Sequence, residues 1–106
     1  MSKPYLVALG TACFDEYYSA DSWVSEGDKL LVHTMEKKAG GMVANAASVM
    51  AGYGNSVYLV DFMNGGASYQ ELKENLASFG LNTSHIVTDD RLPDAKCIIV
   101  LTPKER

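Results

Sequence analysis

Cysteine, histidine and proline are scarce in this chain, with 2, 2 and 3 copies among 106 residues. Cys13 and Cys97 lie far apart, each inside an apolar stretch. They read as buried thiols of a reducing compartment, not as a disulfide framework. The few histidines and cysteines lack the spacing of a structural zinc site, and no metal ligand is assigned. Basic residues are also outnumbered, 9 Lys and Arg against 13 Asp and Glu, for a net charge of −4. That balance argues against a nonspecific grip on nucleic acid through a basic face. No apolar run is long enough to span a bilayer, and the N-terminus lacks a basic-then-apolar signal segment. A cytoplasmic protein without a membrane partner is expected, and the sequon Asn82-Thr83-Ser84 reads as a chance match.

Several catalytic signatures are missing as well. There is no Gly-x-x-x-x-Gly-Lys-Ser/Thr, and Gly52-Tyr53-Gly54 does not extend to the dinucleotide fingerprint. No Gly-x-Ser-x-Gly nucleophile elbow is present. Phosphoryl transfer needs a base and donors that neutralise phosphate charge, and no such set is found. No catalytic residue is therefore assigned. What remains is a chain of one domain at most, 47% hydrophobic, able to bury a modest core.

The stretch Ala39–Gly52 organises the reading. Gly40 and Gly41 open a run of small apolar residues. They free the backbone for positive φ and put no side chain before a ligand. A helix starting just after them would aim its free N–H groups back at the glycines. Gly41, Asn45, Ser48 and Gly52 then share one stripe, with Asn45 and Ser48 its only polar members. Met42, Val43, Ala46, Val49 and Met50 are expected to be packed. Such a helix faces either a small-molecule hydroxyl or phosphate, or simply another closely packed element.

Around that helix the chain reads as α/β. Tyr5–Leu9 is a short apolar run suited to a strand buried on both faces, ending in a Gly10 turn. Open α/β sheets place ligands at such carboxyl ends. Asp15 follows, either as an acceptor for substrate hydroxyls or as a solvated acid. Phe14–Ser19 and Lys29–Lys37 are extended segments around a Gly27-Asp28 turn, a β-flap outside the main sheet. Its Tyr17, Tyr18 and Trp23 would cover a ligand, bury a partner or pack within the flap. His33 is expected on a solvent-facing strand position. Val57–Phe62 is a second sheet strand, giving a βαβ unit. Ser68-x-x-Glu71 reads as a capping box opening an amphipathic helix with Tyr69, Leu72, Leu76 and Phe79 inside and Glu71 in water. Gly80 ends it. A short extended piece at Ile86-Val87, a polar connector Asp89–Asp94 and a buried-type strand Lys96–Leu101 follow. Two helices for four or more strands, and a last strand with nothing to cover it, suggest the first part of a larger α/β domain.

This order of elements resembles the N-terminal part of the ribokinase-like (PfkB) carbohydrate kinases. Gly10-Thr11-Ala12-Cys13-Phe14-Asp15 is similar to the family's first substrate motif, Gly27-Asp28 to the Gly-Glu turn of its lid, and Gly40-Gly41-Met42-Val43-Ala44-Asn45 to its Gly-Gly signature. Gly54 falls where a later glycine is expected. The resemblance implies a mostly parallel sheet flanked by helices, with a lid at about residues 14–38. It covers residues 1–106 and leaves out the catalytic C-terminal half. It further implies ATP- and magnesium-dependent phosphorylation of a sugar or nucleoside hydroxyl by the full-length enzyme. Asp15, Gly40, Gly41 and Asn45 would bind substrate, and neither ATP nor phosphoryl transfer is expected of the 106 residues alone. A homo-oligomer through the flap or the exposed last strand is expected. Val43 replaces the signature's third glycine, Asn64 its last, and Met42 a lysine common in ribokinases. Those departures keep a second class in view, a non-enzymatic small-molecule-binding or interaction module. A Gly-x-Gly-Asp motif in an open frame beyond Arg106 would separate the two.

Overall fold

The computed structural model describes residues 4–93 and 96–103. Asp94 of the polar connector and the last three residues lie outside them, as do Met1–Lys3. The elements run β1 (Leu6–Leu9), β2 (Cys13–Ser19), β3 (Met35–Gly40), α1 (Met42–Gly52), β4 (Val57–Met63), α2 (Ala67–Ser78), β5 (Ile86–Thr88) and β6 (Cys97–Leu101). They form two three-stranded sheets. The main sheet has the order β1-β4-β5 and is parallel throughout. The flap sheet has the order β3-β2-β6, with β2 antiparallel to β3 and parallel to β6.

Side-chain alternation on β4 divides the main sheet into two faces. Val57, Leu59, Asp61 and Met63 are buried, while Tyr58, Val60 and Phe62 are not. Val57, Leu59 and Met63 join Ala44 and Ala47 of α1 and Tyr69, Leu72 and Leu76 of α2 in one core. Both helices therefore pack on the same face. The opposite face is open, and Val7, Leu9, Phe62 and Val87 stand exposed on it. The run Tyr5–Leu9 looks buried on both sides by composition, yet β1 is mostly exposed here. A continuous apolar strand records two covered faces, and this stretch of chain supplies the cover for only one.

Other expectations shift for identifiable reasons. Lys96–Leu101 is mostly exposed, not the buried-type strand expected. Its strand β6 pairs with β2, Asp15 opposite Cys97, and completes the flap. The flap's return strand is Met35–Gly40, later than the expected Lys29–Lys37. His33 reaches the Ser19 carbonyl by its backbone but lies outside any strand, exposed and 3.3 Å from Asp21. Helix α2 begins at Ala67 with Gly66 as N-cap and no side-chain cap, so the Ser68–Glu71 box does not form. Asn64 does that work differently. Its Oδ1 accepts the Gly66 N–H at 2.8 Å while its Nδ2 donates to the Leu92 carbonyl at 2.9 Å. Phe79 falls at the C-cap and is exposed, because the helical face that buries Tyr69, Leu72 and Leu76 has already ended. Glu71 is ion-paired with Lys37 at 3.0 Å, tying α2 to the flap.

Candidate functional site

The site lies where β1 and β4 end, β2 begins and α1 starts. Helix α1 does start directly after the two glycines, at Met42, with Gly41 as its N-cap at φ 109°. That angle favours glycine. A Cβ on Gly41 would also strike the Thr11 carbonyl oxygen of the β1–β2 loop. A Cβ on Gly40 would land on the Asp15 carboxylate. Both glycines are thus required by close approach, and they bring Asp15 against the mouth of the helix. With no side-chain cap at Gly41, the first-turn N–H groups of α1 remain open to this corner.

Asp15 is half-buried, and its carboxylate accepts only the Cys13 thiol, 3.7 Å away, among the described residues. Its remaining lone pairs take no other hydrogen bond among the described residues. Burial, followed by the nearby Asp15 charge, pushes the Cys13 thiol above its ordinary range. Cys97 stands opposite Asp15 across the β2–β6 ladder and is exposed, contrary to the expectation of a buried thiol. It is on the same sheet face as Asp15, because paired strand residues share a face.

Asn45 lies one turn into α1, where its backbone N–H bonds the Gly41 carbonyl at 2.8 Å. Its side chain is exposed and makes no hydrogen bond among the described residues. Ser48 does not continue the polar stripe, since its hydroxyl donates to the Ala44 carbonyl at 2.8 Å. Met42, Ala46, Val49 and Met50 are exposed, not packed, because α1 buries only its Ala44–Ala47 edge against the sheet. Val43 in place of a glycine is accommodated. Its side chain covers Gly10 so closely that a Cβ at Gly10 would collide with it.

Residue reasoning passed over Asp61. It is buried at 6% exposure within β4. Its Oδ2 accepts the Ala12 N–H and its Oδ1 the Phe62 N–H, both at 2.8 Å. The signal was a single acid inside the apolar run Val57–Phe62.

No three His, Cys, Asp or Glu side chains gather as a metal-holding group among the described residues. No helix among these residues is long and apolar enough to cross a membrane.

A parallel sheet with helices, a β-lid carrying an acid, and a double-glycine helix start define a chain built like the sugar kinases of the α/β class. Residues 3–106 match the family described as pfkB family carbohydrate kinase, and the chain belongs to that family. Among solved structures, ribokinase of Arabidopsis thaliana complexed with ribose and ATP is similar at 23% identity and a TM-score of 0.85, covering 99% of this chain and 34% of that one. Ribokinase of Cryptococcus neoformans in complex with ADP matches at 22% identity and a TM-score of 0.82, over 98% of this chain and 33% of that one. Fructokinase of Xylella fastidiosa matches at 22% and 0.73, over 96% and 30%. The chain spans about a third of the length of these structures. No curated protein sequence matches it.

Proposed function

We propose that these 106 residues form the N-terminal, substrate-holding part of a kinase that phosphorylates a hydroxyl of a sugar or nucleoside. ATP is the phosphoryl donor, with magnesium, and the complete protein supplies the catalytic base and nucleotide site from outside this chain. The observation that carries the reading is the placement of the Asp15 carboxylate. It is pressed against Gly40, beside the uncapped start of α1, and has no partner but a thiol among the described residues.

In this reading Asp15 accepts hydrogen bonds from two neighbouring sugar hydroxyls, the geometry a carboxylate offers to a diol. Gly40 and Gly41 let the sugar approach the backbone, and the exposed Asn45 amide contacts a further hydroxyl. The flap sheet, with Asp15 and Cys97 on one face, closes over the sugar and limits competing water. Family membership supports the reaction class, and relatives solved with ribose, ATP or ADP support the substrate and donor. A cytoplasmic location fits such a reaction.

The test is ATP-dependent phosphorylation of ribose, fructose and adenosine by the full-length protein that carries this chain. Wild type is expected to form a phosphorylated product. Asp15→Ala should lower kcat/KM by about 100-fold, the scale of losing charge-assisted hydrogen bonds to bound substrate. Equal turnover by the two proteins would overturn the reading.

A further inference from the structure

We infer that Asp61 is a positioning residue for the Asp15 corner, acting through the backbone of the β1–β2 loop. The inference rests on the reading of Asp15 as the substrate acid, but its geometry stands apart from any sugar. Asp61 is the one acidic side chain among the buried described residues. A carboxyl group loses its hydration on burial and must find hydrogen-bond donors in the protein. Asp61 has two, the N–H groups of Phe62 and Ala12.

The Ala12 bond is the informative one. It joins residues 49 apart in sequence. It ties β4 to the residue immediately before β2, whose third residue is Asp15. Ala12 is itself 2% exposed, so its N–H has no water to turn to if Asp61 is lost. The same loop is pressed from the other side, where Gly41 approaches the Thr11 carbonyl and the Ala12 Cα. The loop is therefore held between α1 and β4. Asp61 fixes where the chain leaves the main sheet after β1 and enters β2, and with it the direction in which Asp15 and Cys13 point.

The test compares wild type, Asp61→Ala and Asp61→Asn, each carrying Cys97→Ser so that Cys13 is the only thiol of these 106 residues. Amide hydrogen exchange is followed by NMR at Ala12 and, as a control of the sheet, at Leu59, whose N–H bonds the Asn82 carbonyl at 3.0 Å. Alkylation of Cys13 by iodoacetamide reports the Asp15 corner directly. In Asp61→Ala, Ala12 should exchange faster by roughly tenfold or more, the range of leaving a buried N–H without its acceptor. Cys13 should react several times faster, with Leu59 unchanged. Asp61→Asn keeps one acceptor oxygen and should lie between. Unchanged Ala12 and Cys13 would overturn the inference. So would Leu59 exchange that rises in step with Ala12, which would make Asp61 a support of the whole sheet. Neither readout involves a sugar, so a failed phosphorylation assay refutes the functional reading and leaves this one to be decided by Ala12 and Cys13.

Discussion

Gly41 shows how much of this site is backbone. Its φ of 109° is one that side-chain-bearing residues rarely adopt, and the space beyond its Cα is filled by the Thr11 carbonyl. Gly41→Ala should therefore destabilise the chain by about 1–3 kcal/mol, the cost of holding a non-glycine residue in such a conformation. Gly52→Ala is the control. Gly52 lies at the end of α1 with open space around its Cα and an ordinary φ, so alanine should be neutral or slightly stabilising. Urea unfolding of the two variants checks the pair, and equal stabilities would contradict the close approach described for Gly41. The Gly-Gly pair was legible in sequence because glycine's conformational freedom is a property of the residue itself. Asp61 was not, because its role depends on a loop 49 positions away. A lone acid in an apolar run signals only that some partner must exist.

At the scale of elements, local patterns carried the strands and helix starts that depend on neighbours in sequence. The start of α1 after Gly41 and the stops at Gly54 and Gly80, both with φ of 93°, follow from glycine placement. The face of α2 that holds Tyr69, Leu72 and Leu76 follows from helical period. What was hidden depends on tertiary pairing. The apolar composition of β6 suits a main-sheet strand as well as a flap strand, and only its register with β2 decides. The capping box failed for a similar reason. Asn64 bridges the Gly66 N–H and the Leu92 carbonyl, so the loop reaches α2 already ordered and the helix begins one residue before Ser68. At the position where the family signature has its last glycine, the asparagine thus has a structural task. The packing expected for α1 was overestimated because small apolar residues fit a buried helix and a half-exposed one alike.

On the scale of the whole molecule, two apolar surfaces among the described residues stand out as exposed. One is the open face of the main sheet, with Val7, Leu9, Phe62 and Val87. The other is the flap, where β3 and β6 are both edge strands and Met35, Ile98 and Trp23 are exposed. Unpaired strand edges beside apolar side chains favour pairing with another chain. We propose that two copies associate through the flap, and static light scattering should give a mass near twice 11.5 kDa at high protein concentration. A monomer mass across that range would rule it out. The family assignment covers residues 3–106, while the matched structures are about three times longer. The proposed function puts binding in these residues, at the acid and glycines, and the nucleotide chemistry elsewhere.

We propose that Asp15, set by Gly40 and the start of α1, holds substrate hydroxyls. The most direct measurement is an NMR titration of this chain with ribose and fructose, repeated on Asp15→Ala. Wild type should show weak, saturable shifts concentrated at Asp15, Gly40, Gly41 and Asn45, and Asp15→Ala should show none with its fold intact. Shifts of equal size in both proteins, or no shift at these residues in wild type, would contradict it.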